Sequence, residues 1–358
     1  MADGQNSDIL QEQTDELRAR IESAQLPEGI KEKCLGMIER IARMAKFGTY
    51  SIEYENTSRY IDVILSIPWY TSSPDILDTV VARAALDKHQ YGLESVKIRV
   101  LEYLAVLQLH QYRKQQLGQD DSFRAPVIML VGLAGTGKTT FAYAVADAMN
   151  RKVARIPFGG MGDALTLRGQ SRAFADAEPG AVIKALIQAG TRNPVVLLDE
   201  IDRVSDEARA NIMGVLLELL DPQQNVAYRD HYVDFPVDLS ECLFIATGNN
   251  TTNISTAVLD RLEIIQMPSY TDEEKITIAS TYVFPRALQE SGLPPNAITI
   301  DPAVWPQVVR PLGFDSGIRT LERTIRGMCR KVARMIVEGN AQQVHVTAEN
   351  VKEFLPTW

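Results

Sequence analysis

A glycine-rich stretch at 132–139, with the sequence GLAGTGKT, contains residue types suited to holding phosphate groups. It matches the pattern G-x-x-x-x-G-K-[ST] and lies between an apolar run and a stretch with helical spacing, which is the context that this pattern requires. Gly132, Gly135 and Gly137 let the backbone turn tightly, so that N–H groups converge on phosphate oxygens beside a helix N-terminus. A chance glycine-rich turn is the alternative interpretation, and the surrounding pattern argues against it.

Polar side chains in and beside this loop extend the same chemistry. Lys138 is placed to reach the β- and γ-phosphates of a nucleoside triphosphate, and the Thr139 hydroxyl is placed to ligate Mg²⁺. We assign the neighbouring Thr136 and Thr140 to the nucleotide contacts as well. The stretch therefore predicts a site for ATP and Mg²⁺.

A second apolar run, at 195–199, ends in two adjacent carboxylates, Asp199 and Glu200. We expect Asp199 to hold Mg²⁺ and its waters, and Glu200 to polarise the attacking water as a general base. Acidic residues at the end of a single strand are common on protein surfaces. Because this run follows the phosphate-binding loop by about sixty residues on another apolar strand, the pair favours nucleotide hydrolysis.

The composition limits the choice of partners. The chain of 358 residues has 37 Lys and Arg against 46 Asp and Glu, a net charge of −9, so neither nucleic acid nor an anionic membrane is the electrostatically favoured partner. Its three cysteines are far apart in the sequence, which argues for a reducing compartment and against a disulfide framework. We find no signal peptide and no run of about 20 apolar residues, so we expect a cytoplasmic location.

The elements that position these residues can be predicted from periodicity. Short apolar runs alternate with segments of helical spacing, which predicts an α/β fold with helices on both faces of a parallel sheet. The runs are at 127–132, 153–158, 195–199, 242–248 and 263–267. We predict a helical segment at 1–70, a nucleotide-binding α/β domain at 71–268, and a helical domain at 269–358 with a short β segment at 342–348.

The predicted N-terminal helical segment has one apolar face. Residues at helical spacing on this face are Ile30, Cys34, Met37, Ile38 and Ile41. Pro27 and Gly29 are expected to separate two helices, and a third helix is expected to stop at Ile67, before Pro68. We interpret the segment as a packing module or linker.

Longer motifs show a specific resemblance. The chain looks like an AAA+ ATPase, a P-loop domain followed by a small helical lid domain, and within that superfamily it resembles the ATPase module of the Lon proteases. The resemblance runs from about residue 8 to the C-terminus. The motifs that carry it are LSIPW at 65–69, HQYGLESVKIRVLEYLAV at 89–106, NPVVLLDEID at 193–202, LLELLDPQQN at 216–225, DHYVDFPVDLS at 230–240 and GIRTLER at 317–323.

The resemblance implies further nucleotide contacts. Tyr91 and Gly92 correspond to residues that flank the adenine, although a buried packing turn is an open alternative for the Tyr91 side chain. Asn249, in ATGN, corresponds to a polar sensor that orients the attacking water; a strand-ending Asn is otherwise a turn residue.

Two arginines have roles implied by the resemblance. Arg261, in LDRLE, corresponds to an arginine finger that reaches the γ-phosphate of a neighbouring subunit; a surface ion pair with Asp260 or Glu263 is the alternative. Arg319, in GIRTLER, corresponds to a second sensor that reaches back from the lid. Together they imply a homo-oligomeric ring, a hexamer by resemblance.

A substrate-gripping loop is also implied by the resemblance. The loop at 168–180 places Phe174 at the family's aromatic position, followed by Ala175 where the family has a larger aliphatic residue. Neighbouring residues depart from the family pattern as well, which weakens the inference of polypeptide translocation. Tyr228 is a second candidate channel contact, and a packed or rim tyrosine is equally compatible with the sequence.

The family's protease domain has no counterpart before the end at Trp358, so we expect no peptidase activity in this chain; a natural ATPase-only relative and a fragment of a longer protein both fit.

The leading hypothesis is an ATP-driven ring motor that unfolds or threads polypeptide, with a peptidase acting in trans as an option. The alternative is a nucleotide-switched assembly or regulatory module that binds a protein partner without threading it. A DNA-remodelling role is disfavoured by the acidic charge.

Overall fold

The computed structural model describes residues 2–45, 51–117, 127–174, 176–310 and 317–355. The helices are α1 Ala2–Ser23, α2 Glu28–Ala45, α3 Ser51–Ser66, α4 Thr79–His89, α5 Glu94–Leu117, α6 Lys138–Ala148, α7 Leu165–Arg168, α8 Ala181–Ala189, α9 Arg209–Leu220, α10 Thr256–Leu259, α11 Asp272–Ile278, α12 Phe284–Glu290, α13 Trp305–Val309, α14 Arg319–Val337 and α15 Val351–Phe354. The strands are β1 Val127–Val131, β2 Val153–Pro157, β3 Val195–Asp199, β4 Tyr228–Arg229, β5 Pro236–Val237, β6 Leu243–Gly248, β7 Leu262–Gln266, β8 Ile298–Ile300 and β9 Val344–Val346.

Five of these strands form one parallel sheet in the order β2-β3-β6-β1-β7. The three central strands are buried along their whole length, which explains why they read as continuous apolar runs. Each strand lies within one residue of the corresponding predicted run. The prediction of a parallel α/β sheet is confirmed.

The two faces of the sheet belong to different hydrophobic clusters, because side chains alternate along a strand. Ile128 and Leu130 face a cluster that includes buried residues of α4, α5 and α6 and continues into the region after residue 268, which we call the lid. Val127 and Met129 face the opposite cluster, which contains buried residues of α1, α2, α3, α8 and α9. Helices therefore cover both faces of the sheet.

The N-terminal segment folds as the periodicity predicts. Ile30, Cys34, Ile38 and Ile41 are buried, with Met37 half-buried at the edge of that face. A short non-helical connection that contains Pro27 separates α1 from α2, and α3 ends before Pro68. Gly29 was expected in the break but lies inside α2, where an added Cβ would be 3.2 Å from the Phe235 ring. Its small size serves packing between α2 and the loop after β4.

The lid is mostly helical and contains two features that periodicity did not reveal. A π-helical turn, Ala279–Val283, joins α11 to α12. The predicted β segment appears as β9, and it pairs in parallel with β8, a three-residue strand for which no prediction was made. Among the described residues, no helix is long and apolar enough to cross a membrane.

Candidate nucleotide-binding site

A cleft of about 950 Å³ lies between the carboxyl ends of the sheet strands and the lid. Ligands of open α/β sheets bind at this edge, because the loops that follow parallel strands all emerge there. The cleft collects most of the nucleotide residues predicted from sequence. Those that line it are Tyr91, Gly135, Gly137, Lys138, Thr139, Thr140, Asp199, Glu200, Asn249 and Arg319.

The phosphate-binding loop joins β1 to α6, as predicted. Gly135 and Gly137 have φ values of +83° and +90°, a left-handed conformation that side chains rarely adopt. Gly132 is required for a different reason, since an added Cβ would lie 2.6 Å from the Met267 carbonyl oxygen. Thr136 is buried and its hydroxyl donates to the Leu133 carbonyl at 2.9 Å, so it shapes the loop from within.

Lys138 is the buried cation of the loop. Its ammonium donates to the carbonyl oxygens of Gly132 at 2.6 Å and Leu133 at 3.0 Å, and to Oδ1 of Asn249 at 3.1 Å. Burial lowers the pKa of this ammonium from its ordinary value, and the charge of the nearby Asp202 opposes the effect. The lysine and the predicted sensor Asn249 are thus joined directly at the carboxyl ends of β1 and β6.

Asp199 is held in a fixed orientation at the end of β3. Its Oδ1 accepts from the Thr247 hydroxyl at 2.5 Å and lies 3.4 Å from the Thr139 hydroxyl, while its Oδ2 accepts from Nε of Arg155 at 2.8 Å. A carboxylate and a hydroxyl this close supply the hard oxygen ligands that Mg²⁺ prefers, and Mg²⁺ needs only one or two protein carboxylates. Thr139 and Asp199 therefore fit a magnesium site.

Glu200 has a different environment from Asp199. Its backbone is left-handed, with φ 59°, and its N–H donates to the Thr247 hydroxyl at 2.9 Å. The side chain is 32% exposed at the cleft, with Arg203 at 3.5 Å. The unusual backbone conformation directs the carboxylate away from the strand and into the cleft, where a water molecule can approach it.

Three residues that support Asp199 and Asn249 were missed by sequence reasoning. Arg155 and Thr247 contact Asp199 from β2 and β6, and Asp202 accepts through Oδ2 from the backbone N–H groups of Asn249 at 3.0 Å and Asn250 at 3.4 Å. Asp202 is in the quoted motif at 193–202, which could have signalled it. Arg155 and Thr247 become visible only once the strand order is known.

The far end of the cleft is lined by two tyrosines. Tyr91 is partly exposed there, and its ring centroid lies 6.5 Å from that of Tyr282 in the π-helical turn. Gly92 follows with φ +66°, and the turn it forms points Tyr91 at the lid. Apolar ring faces of this kind suit a purine base. The Tyr91 side chain therefore lies in the cleft and not in the core.

The lid touches the phosphate-binding loop through its Gly317–Arg319 segment. The Ile318 N–H donates to the Gly135 carbonyl at 3.1 Å, and an added Cβ on Gly317 would lie 2.4 Å from the Ala134 carbonyl oxygen. This contact brings Arg319, the first residue of α14, to the cleft as expected for a second sensor.

Arg261 lies elsewhere. It immediately precedes β7, and Leu262 of β7 pairs with Val127 at the start of β1, whereas the phosphate-binding loop follows the end of β1. The two sites are therefore about 13 Å apart along the strands. Arg261 forms an ion pair with Asp221 at 3.1 Å and not with Asp260 or Glu263, the pairing considered from sequence.

Asp221 is the acceptor that holds Arg261. The backbone N–H of Gln223 is the largest cause that lowers the pKa of the Asp221 carboxyl below its ordinary value; Arg261 lowers it further, while burial acts in the opposite direction. Nη1 of Arg261 also donates to the Ala257 carbonyl at 2.8 Å. The guanidinium is thereby held at the amino ends of the strands, away from the cleft at their carboxyl ends.

The candidate substrate-gripping residues differ in their exposure to solvent. Phe174 is 67% exposed on the loop between α7 and α8, while Ala175 lies outside the described residues. Tyr228 is fully buried and its hydroxyl donates to the Leu167 carbonyl at 3.1 Å. Of the two alternatives considered for Tyr228, the structure has the packed tyrosine and not a channel contact, because packing and this hydrogen bond hold its ring inside the protein.

Comparison with known proteins identifies the family. Residues 128–270 match the AAA family (ATPase family associated with various cellular activities), and residues 289–344 match the Lon protease AAA+ ATPase lid domain. The fold and the cleft thus define a nucleotide-binding AAA+ ATPase. The lid and the relatives place the chain in the Lon family as a Lon-type ATPase module, which confirms the resemblance seen in its motifs.

The relatives described below are larger proteins than this chain. The chain is 40% identical over 344 residues to the Lon protease of Trichlorobacter lovleyi, covering 96% of this chain and 41% of the relative. It is 38% identical over 343 residues to the Lon protease of Syntrophomonas wolfei, with 96% and 41% covered, and 38% identical over 347 residues to Lon protease 2 of Thermus thermophilus, with 96% and 43% covered. The chain spans about two fifths of the length of these relatives.

Proposed function

We propose that this chain hydrolyses ATP with Mg²⁺ and that a ring of its copies uses the hydrolysis to unfold or translocate polypeptide. In the cleft, Lys138 neutralises charge on the β- and γ-phosphates and Glu200 takes the proton of the attacking water. Thr139 and Asp199 would hold Mg²⁺, which supplies further positive charge to the phosphate oxygens. Asn249 orients the water, and Arg319 senses the nucleotide from the lid.

A ring is supported by the position of Arg261. A guanidinium near the γ-phosphate stabilises the transition state of phosphoryl transfer. In its own subunit, however, Arg261 lies at the amino ends of the strands, whereas the cleft lies at their carboxyl ends. It can serve that purpose for the cleft of a neighbour. Repetition of such a head-to-tail contact closes into a ring when the rotation permits, and we propose a hexamer.

Phe174 carries the proposal that the ring acts on polypeptide. Its large apolar side chain is 67% exposed on a loop outside the nucleotide cleft, where it is accessible to an apolar partner. An aromatic ring can contact extended chains of many sequences, and several weak contacts around a pore act together through their effective concentration. We propose unfolded polypeptide as the substrate.

The test compares wild type with Phe174→Ala. Wild-type ATPase should be stimulated by an unfolded polypeptide such as casein, and the variant should lose this stimulation and the unfolding of a tagged model protein. Its affinity for ATP should stay at the wild-type value, because Phe174 does not line the cleft. Leu165→Ala, which removes another exposed apolar side chain just before the loop, is the matched control.

The outcome also decides between threading and the alternative. If wild type is neither stimulated by polypeptide nor active in unfolding, the threading proposal is wrong. Nucleotide-dependent capture of a folded partner with slow turnover would then favour a nucleotide-switched module. A combined loss of ATP affinity and thermal stability in Phe174→Ala would show instead that the Phe174 side chain packs within its own subunit.

A further inference from the structure

The loop that carries Phe174 is fastened at both ends to residues 228–234, which we call the clamp segment. At the start of the loop, the Tyr228 hydroxyl donates to the Leu167 carbonyl at 3.1 Å, and the His231 N–H donates to the Arg168 carbonyl at 2.7 Å. At its end, the Gly180 N–H donates to Oδ2 of the buried Asp230 at 2.7 Å. The base of the loop is thus fixed to the clamp segment.

The N-terminal helices hold the other side of the clamp segment. The Tyr60 hydroxyl of α3 donates to the Val233 carbonyl at 2.9 Å, and the rings of Tyr60 and Tyr232 are 5.9 Å apart. Lys33 of α2 donates to both the carbonyl and the carboxylate oxygen of Asp234 at 2.8 Å. A position change in α2 or α3 therefore reaches the base of the loop.

A second connection runs directly from the N-terminal helices to the tip of the loop. The Arg172 guanidinium carbon lies 3.9 Å from the centre of the Tyr60 ring, and its Nη1 is 3.5 Å from the Met37 sulfur. Tyr60 is fully buried, so its ring offers a rigid face. A cation this close to an aromatic face is attracted by the ring quadrupole, and a planar guanidinium also stacks on it.

The stack is two residues from the exposed phenylalanine. The Phe174 N–H donates to the Ser171 carbonyl at 3.0 Å, which closes a tight turn around Arg172 and Ala173. Arg172, stacked on the Tyr60 ring, and the exposed Phe174 therefore belong to the same hydrogen-bonded turn.

We propose that Arg172 is a positioning residue for Phe174, and that α2 and α3 control polypeptide engagement by holding Arg172 on the Tyr60 ring. The inference rests on the proposed function of the Phe174 loop and adds a role for the N-terminal segment, which the sequence presented only as packing.

Enzyme kinetics provide the first test. Arg172→Ala and Tyr60→Leu should each raise the polypeptide concentration needed for half-maximal stimulation of ATPase by about tenfold. The double variant should do little more than either single one, because both remove the same contact. Arg172→Lys should recover part of the loss and Tyr60→Phe most of it, since the ring remains. Arg40→Ala is the matched control, because Arg40 is an exposed arginine of α2 that lines the same surface groove as Arg172 and Phe174, away from the nucleotide cleft.

A label on the loop provides a test that does not need polypeptide. The native Cys34, Cys242 and Cys329 are buried, and burial raises the pKa of their thiols to about 11, about 12 and about 11, so they react poorly with thiol-directed dyes. A dye on Ala173→Cys should show greater local mobility by time-resolved anisotropy after Arg172→Ala or Tyr60→Leu, while Arg40→Ala leaves it unchanged.

The two readouts separate the inference from the proposed function. If polypeptide does not stimulate wild type but both substitutions still mobilise the label, the gripping function is wrong and the positioning contact is real. Unchanged label mobility in Arg172→Ala, or kinetic effects of the two substitutions that simply add, would overturn the inference. Should Tyr60→Leu fail to fold, the comparison of Arg172→Ala with Arg172→Lys decides alone.

Discussion

The adjacent carboxylates at the end of β3 divide their work through their surroundings. Asp199 is buried and receives hydrogen bonds from Thr247 and Arg155, whereas Glu200 is turned into the cleft by a left-handed backbone. A constrained carboxylate suits a metal ligand, and a partly exposed one suits a base that must meet water. The roles proposed for these two sequence neighbours therefore differ.

The first prediction concerns these roles. Glu200→Gln keeps the shape and the contacts of the site but cannot accept the proton, so kcat should fall by roughly 10²- to 10⁴-fold with ATP affinity near wild type. Lys138→Ala should instead abolish tight ATP binding. Binding by fluorescent nucleotide titration and steady-state turnover distinguish the two variants. Near-normal turnover by Glu200→Gln would remove Glu200 from its role.

A second prediction concerns Asp202, which holds the backbone of Asn249. Asp202→Ala should lower kcat by roughly 10- to 100-fold, because hydrogen bonds to a carboxylate position the sensor amide. Combining it with Asn249→Ala should cost little beyond the larger single effect, as measured by a double-mutant cycle on kcat. The exposed Asp206 gives the control substitution, Asp206→Ala. Additive effects would mean that Asp202 acts independently of Asn249.

Residue types alone predicted the centre of the site and missed its supports. Gly135, Gly137 and Lys138 belong to a local pattern whose spacing encodes its geometry, so they could be identified before any fold was known. Arg155 and Thr247 come from β2 and β6 and meet Asp199 only because those strands flank β3. Such contacts depend on strand order, which local sequence does not specify.

At the scale of elements, the lid contacts the phosphate-binding loop directly, backbone against backbone, at Gly317 and Ile318. Because an added Cβ on Gly317 would be 2.4 Å from the Ala134 carbonyl oxygen, Gly317→Ala should push the lid away and weaken ATP binding by roughly 10- to 100-fold. Gly327→Ala, in α14 of the same lid, meets no atom closer than 4.0 Å and should bind ATP normally. Equal affinities in isothermal titration would show that the lid adapts freely.

The same scale shows which elements a sequence can reveal. The central strands were predicted to within a residue because burial on both faces makes them continuous apolar runs. β8 has three residues and was missed, whereas the equally short β9 lies within the longer run that was predicted at 342–348; β8 is defined by its pairing with β9. The π-helical turn was also missed, since one extra residue in a helix leaves no compositional mark.

At the scale of the whole molecule, Arg261 lies at the amino ends of the parallel strands and Lys138 at their carboxyl ends. The proposed active site therefore needs two subunits. Arg261→Ala should retain ATP while its hydrolysis falls by roughly 10³- to 10⁵-fold. Rings mixed from Arg261→Ala and Lys138→Ala subunits should regain part of the activity, because an intact cleft then meets an intact arginine. The measurement is turnover against mixing ratio, and no recovery in rings proven to be mixed would contradict action between subunits.

One face of the central sheet belongs to the hydrophobic cluster that contains the N-terminal helices, and the other face belongs to the cluster that continues into the lid. Heating should therefore disrupt both hydrophobic clusters together, as a single calorimetric transition and not as one transition for each part. ATP bound in the cleft raises the midpoint of that transition by mass action. The N-terminal helices would then be protected by a nucleotide whose cleft none of their described residues lines, and their amide hydrogen exchange would report whether the cleft is filled.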